Sequence, residues 1–195
     1  MSGGPPSNYN IANALTVLRL LLVPIFGWLL LADGGESGPM RWAALAVFCL
    51  AALTDRYDGH LARRHGLVTE VGALADPIAD KALTGVALLG LSILGELPWW
   101  MTIIIIVREW GITVLRLWVI RRGVISASPG GKLKTVVQMI AIIAFLVPLP
   151  QALDPLLLTV MAAAVVLTVV TGADYVLRAL ALRRSAAPNQ SASRG

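Results

Sequence analysis

A bundle of six membrane-spanning helices is the fold this sequence predicts, and three observations predict it. Hydrophobic residues fill 57% of the 195 positions and charged residues only 14%, with a mean hydropathy of +0.77, far too apolar for a soluble domain of this length. A spanning helix needs about 20 mostly apolar residues, and six stretches are long enough. Short connections join them, so one all-α domain takes up nearly the whole chain.

The segment 1–10, MSGGPPSNYN, is polar and has no Lys or Arg. It lacks the charged start of a secretory signal peptide, so the first apolar span is expected to stay in the protein. The spans are predicted at Ile11 to Leu31, Met40 to Arg64, Gly72 to Leu94, Pro98 to Arg122, Lys132 to Val147 and Pro155 to Arg183, from apolar runs and their Gly and Pro punctuation. Pro24 should kink the first, a break that neighbouring helices can accommodate. Residues 11–184 thus form the helical domain, and the small, polar tail 185–195 is expected to be disordered.

The net charge of +5 does not point to nucleic acid, because the basic residues are dispersed between apolar spans instead of gathered on one face. Anionic membrane lipids are the expected contact. Cys49 is the only cysteine, which excludes an internal disulfide and a Cys-based metal site; inside an apolar span it reads as a small buried packing residue. Basic residues also set the orientation. Arg63 and Arg64 follow span two, Arg121, Arg122, Lys132 and Lys134 lie between spans four and five, and Arg183, Arg184 and Arg194 follow span six. The opposite connections offer Arg41 beside Asp33, Glu36, Glu96 and Asp154. The positive-inside rule then predicts a multi-pass protein of the cell membrane with both termini, and the connection between spans two and three, in the cytoplasm.

That connection lies within the most informative stretch, TDRYDGHLARRHGLVTEVGALADPIADK, from Thr54 to Lys81. Asp55 and Asp58 are three apart, and Asp76 and Asp80 four apart, so each pair can share a helix face. Antiparallel neighbours joined by a short loop would bring both faces together. Four converging carboxylates repel one another unless a cation neutralises them. An all-oxygen set favours Mg²⁺ or Mn²⁺ over zinc, and four carboxylates can hold two such ions for phosphoryl displacement. Gly59 leaves room for a phosphate or nucleotide to approach the backbone, Ala62 is similarly small, and Arg63 can offer a bidentate contact to a phosphate oxygen. Among eleven acidic residues in the chain, two such pairs are not the scatter of solvated helix ends. His60 and His65 are spaced too far apart for one helix face and read as interfacial.

These residues form a pattern: Asp55, two residues, Asp58-Gly59, two residues, Ala62-Arg63, eight residues, Gly72, three residues, Asp76, three residues, Asp80. It resembles the CDP-alcohol phosphotransferase family at every fixed position. The resemblance implies a six-helix membrane fold, usually a homodimer. It implies that Asp55, Asp58 and Asp76 ligate metal, that Asp80 completes the metal site and takes the proton from the attacking hydroxyl, and that Gly59, Ala62, Arg63 and Gly72 shape the CDP pocket. The implied reaction is direct attack by an alcohol on the lipid-side phosphorus of CDP-diacylglycerol, releasing CMP.

The acceptor must be read from polar residues inside the other spans. Arg19 lies in span one, and Arg108, Glu109 and Arg116 in span four; charges there should face the bundle interior. Lys132, Lys134 and Gln138 follow in GGKLKTVVQ, with Lys134 and Gln138 on one helix face. A cationic cavity suits an acceptor that carries its own phosphate. The segments NALTVLR, VREWGITVLR and GGKLKTVVQ resemble the phosphatidylglycerophosphate synthase branch of the family, which implies glycerol 3-phosphate, its phosphate bound by Arg108, Arg116, Lys132 and Lys134. Arg121 and Arg122 read instead as positive-inside residues. Two rivals stand beside this reading: a sister enzyme using inositol phosphate, and a cation transporter, which would place its charges at the bilayer midplane in broken helices.

Overall fold

The computed structural model describes residues 11–36, 38–65, 70–119 and 129–185; within these, the side chains of 11–13, 55–77, 80, 116–119, 129–132 and 182–185 are not among those described. The described residues are all-α, with six helices: α1 (Ile11–Leu31), α2 (Gly38–His65), α3 (Glu70–Ile93), α4 (Trp99–Val119), α5 (Pro129–Leu146) and α6 (Asp154–Ser185). Each predicted span falls on one helix, with ends moved by at most a few residues; the predicted end of the fourth, Arg122, lies outside the described residues. α1 runs unbroken through Pro24. Pro129 opens α5, a first-turn position where its missing N–H would have had no helical partner.

Side chains of α1 seed the core. Val23, Phe26 and Leu30 are buried along one face, while Leu21 and Trp28 on the other are 60% and 65% exposed. Phe26 meets Phe48 of α2 with ring centroids 5.4 Å apart in a tilted arrangement. α1 also lies against α3, and at Gly90 the side chain of Leu30 takes the space a Cβ would fill. A Cβ at Gly90 would stand 2.5 Å from Leu30 Cδ2, closer than carbon atoms approach. α6 packs on α5 and on α4, and contacts between α2 and α5 join the two halves. Leu83, Leu91, Ile105, Ile142, Phe145, Met161 and Val165 continue one apolar core through all of them.

The exterior is apolar as well. Val107, Val114, Val166 and Leu177 are each more than half exposed, a surface suited to lipid rather than water. Two stretches, Ala14–Gly35 and Gln151–Ala181, are long and apolar enough among the described residues to cross a membrane. The other apolar segments are shorter: Gly38–Thr54, Lys81–Ile93 and Leu133–Leu146. α4 carries Arg108, Glu109 and Arg116 within its length. Cys49, expected to be buried, is half-buried, so α2 turns that side partly outward.

The end of the bundle away from the aspartates is fastened by Arg41, near the start of α2. Its guanidinium grips Glu96 through both nitrogens, with Nη1 donating to Oε1 at 2.6 Å, and Nη2 also donates to the Phe145 carbonyl at 2.7 Å. One side chain thereby ties α2, the turn between α3 and α4, and the end of α5. That turn passes through Gly95 at φ +77°, a conformation that favours glycine. Gly35, at φ +79°, leaves space for the same arginine, since a Cβ there would lie 3.2 Å from Arg41 Nη1 and 2.8 Å from Leu94 Cδ1.

Candidate active site

Asp55 and Asp58 lie towards the end of α2, and Asp76 and Asp80 in the first half of α3. The backbone is helical at all four positions, so their spacings of three and four give each pair a common face. α2 and α3 touch, and only four residues, 66–69, separate them in the sequence, so the end of α2 and the start of α3 lie near one another. The aspartate-bearing portions therefore stand at one end of the bundle. Their side chains lie outside the described residues, as do those of Gly59, Ala62, Arg63, Gly72, Arg116 and Lys132. Among the described residues, no group of three or more His, Cys, Asp or Glu could hold a metal.

The described part of this region is a cluster of charges centred on Glu109. Lys134 of α5 forms an ion pair with Glu109 Oε1. Lys81, one residue beyond Asp80 on α3, has its Nζ 3.5 Å from Glu109 Oε2. Arg108 Nη1 approaches Oε1 at 3.8 Å. The side chains of Lys134, Lys81 and Glu109 are only 3%, 13% and 19% exposed, so this is not a solvated surface network. Three helices contribute its members, Lys81 from α3, Arg108 and Glu109 from α4 and Lys134 from α5. Lys134 and Gln138, expected on one face of α5, are both buried and line one cleft with Thr84, Glu109, Thr135 and Met139.

A second, larger groove of about 200 Å³ opens between α3 and α4. Its floor is apolar, formed by Val86, Leu88, Leu89, Ile105 and Ile106, and its polar end is Lys81, Thr84 and Glu109. An apolar chain with a charged head would match that division.

Arg108 faces a different neighbour from the one its sequence position suggested. Its Nε donates to the Thr168 carbonyl at 3.1 Å and its Nη2 to Thr171 Oγ1 at 2.9 Å, both on α6. Gly172 makes the berth, because a Cβ there would lie 3.1 Å from Arg108 Cγ and 3.2 Å from Nε. The guanidinium thus bridges α4 to α6 and reaches the Glu109 cluster only by its edge. Arg19, expected to face inward, is wholly buried.

Of the residues singled out in the sequence, the structure brings Lys134 and Arg108 to one carboxylate. Sequence reasoning did not assign that carboxylate, Glu109, or Lys81 to the site. Both had a signal: each is a charge inside an apolar helix, a costly placement that needs a partner. Lys81 was overshadowed by its neighbour Asp80.

The chain can now be set beside known proteins. Its likeness extends to the "probable phosphatidylglycerophosphate synthase" of Mycobacterium tuberculosis (strain ATCC 25618 / H37Rv), 58% identical over 171 residues that cover 88% of this chain and 82% of that protein. The CDP-diacylglycerol–glycerol-3-phosphate 3-phosphatidyltransferase of Bacillus subtilis (strain 168) is 39% identical over 180 residues, covering 86% of this chain and 93% of that protein. The protein of the same name from Escherichia coli (strain K12) is 38% identical over 143 residues, 69% of this chain and 75% of its own length. Residues 9–170 match the CDP-alcohol phosphatidyltransferase family, a span that takes in the aspartate pattern and the Glu109 cluster alike, and the chain belongs to that family.

Proposed function

We propose that this protein transfers the phosphatidyl group of CDP-diacylglycerol to glycerol 3-phosphate, yielding phosphatidylglycerophosphate and CMP. The observation that carries the acceptor is the buried cationic cluster: Lys134 and Lys81 meet at Glu109, and Lys81 follows Asp80 directly on α3. Two lysines converging in a mostly desolvated place suit a phosphate-bearing acceptor. The relatives named for this reaction support the same reading.

Asp55, Asp58, Asp76 and Asp80 form an oxygen-only donor set that fits Mg²⁺ or Mn²⁺, two ions among four carboxylates. Bound there, the ions supply neutralisation of the carboxylates and of the pyrophosphate charge. Asp80 accepts the proton of the attacking hydroxyl; that oxygen bonds to the lipid-side phosphorus as the bond from phosphorus to the CMP oxygen breaks. Gly59, Ala62, Arg63 and Gly72 shape the CDP pocket. Lys134, with Lys132, Arg116 and Arg108, receives the acceptor's phosphate and so orients its far hydroxyl towards Asp80. The six helices span the cell membrane, the aspartate end and both termini face the cytoplasm, and the working form is a homodimer, as the family resemblance implies.

The test is CMP release by purified protein supplied with CDP-diacylglycerol, Mg²⁺ and one acceptor at a time. Release with glycerol 3-phosphate is expected. Release with inositol phosphate alone would reassign the acceptor, and ion flux through reconstituted vesicles without any CMP release would overturn the enzymatic reading.

A further inference from the structure

Glu109 has no part in the reaction as drawn above, yet it is the point on which three helices converge. Its two carboxylate oxygens face different lysines: Oε1 pairs with Lys134 of α5, and Oε2 lies 3.5 Å from Lys81 of α3. Two ammonium groups that close in a mostly buried place repel strongly. A carboxylate between them removes that repulsion and sets where each one stands. We propose that Glu109 is a positioning residue that clamps Lys81 and Lys134 into one receptor for the acceptor's phosphate and, through Lys81, holds that receptor at a fixed place relative to Asp80.

Three features support this over a purely structural ion pair. Among the described residues three cations converge on this one carboxylate, since Arg108 Nη1 also stands 3.8 Å from Glu109. Glu109 and Lys134 share their cleft with Gln138 and Thr135, whose amide and hydroxyl can bond further phosphate oxygens. Lys81 follows Asp80 directly on α3, so an ion pair made by Lys81 restrains the rotation of the helix segment that presents Asp80. The distance from phosphate receptor to base then becomes a ruler, admitting an acceptor whose hydroxyl lies a set number of bonds from its phosphate.

This inference rests on the acceptor reading above, and its test separates the two. Steady-state CMP release is measured for the wild-type protein, Glu109→Gln and Glu109→Asp, with glycerol 3-phosphate and with unphosphorylated glycerol. Glu109→Gln removes the charge; Glu109→Asp keeps it but shortens the reach by one methylene. Loss of one charge-assisted contact predicts that the KM for glycerol 3-phosphate rises about tenfold in Glu109→Gln. The preference for glycerol 3-phosphate over glycerol should fall by about the same factor, while the KM for CDP-diacylglycerol stays within about twofold. Glu109→Asp should fall between, and it decides the matter alone if Glu109→Gln does not fold. A general structural defect would lower activity with both acceptors equally, leaving the preference unchanged, and that result overturns the inference while the wild-type activity stands. A wild-type protein that releases no CMP with glycerol 3-phosphate overturns the acceptor reading and this inference with it.

Discussion

The Arg41–Glu96 pair offers a measurement that separates folding from chemistry. Arg41 is 7% exposed in its side chain and Glu96 34%, so the two partners are not equivalent. Glu96→Ala strands a guanidinium in the bundle with the Phe145 carbonyl as its remaining described acceptor. Breaking a fully buried pair costs about 3–5 kcal/mol. Water reaches Glu96 and screens the interaction, so a cost of about 2 kcal/mol is expected here. Arg41→Met instead removes the buried charge, leaves Glu96 facing solvent and deprives Phe145 of a donor, at about 1 kcal/mol. In a chain of this size 1 kcal/mol corresponds to roughly 2–4 °C, so the unfolding midpoint should drop by roughly 4–8 °C for Glu96→Ala and by half that for Arg41→Met. Thermal unfolding in detergent, followed by tryptophan fluorescence, reads both. CMP release well below the midpoint should stay within about twofold of wild type, because Arg41 lies about 21 Å along α2 from Asp55 at 1.5 Å per residue. A Glu96→Ala midpoint equal to wild type, or an Arg41→Met loss larger than that of Glu96→Ala, would refute the reasoning.

Three further outcomes are expected. Asp80→Asn should bind CDP-diacylglycerol yet lose at least ~100-fold in turnover, the usual contribution of a general base; binding and CMP release measured on one preparation check it, and retained turnover would remove Asp80 from that role. Chelation with EDTA should abolish CMP release, with Mg²⁺ or Mn²⁺ restoring it, as hard oxygen ligands require. Gly90→Ala should destabilise the protein by about 1–3 kcal/mol through overpacking, because its Cβ would meet Leu30 Cδ2 at 2.5 Å and Leu30 is wholly buried; an unchanged unfolding midpoint would show that α1 and α3 can part without cost.

The six helices were legible because each is bounded by something chemical. Gly34, Gly35 and Gly95 adopt positive φ at turns, and Pro129 opens α5. Which helices touch was less legible. Nothing in the periodicity of α1 says that Phe26 faces Phe48 or that Gly90 admits Leu30, because an apolar helix in an apolar setting shows little contrast between its faces. Likewise Arg41 and Glu96 read from sequence as residues at the same side of the membrane. Their bond is a tertiary fact, created by the turn that brings residue 96 back over the start of α2.

The candidate site divides along the same line. That Asp55, Asp58, Asp76 and Asp80 stand on helical backbone in α2 and α3 was readable because helical periodicity is local. The Glu109 cluster is not local: Lys81, Glu109 and Lys134 belong to three helices, and each alone is merely a charge that an apolar helix should avoid. The cost of burying such charges is what pairs them, so the sequence can announce that partners exist without saying which. Arg108 shows the consequence. Depth in the span suggested a ligand for phosphate, yet hydrogen bonds to Thr168 and Thr171 and the berth at Gly172 turn it to α6, while Lys81, hidden behind Asp80 in the sequence, comes to the carboxylate that also holds Lys134. A charge inside an apolar helix is therefore best assigned by its partner, and by that criterion Lys81 joins Lys134 at the one carboxylate that the edge of Arg108 also approaches.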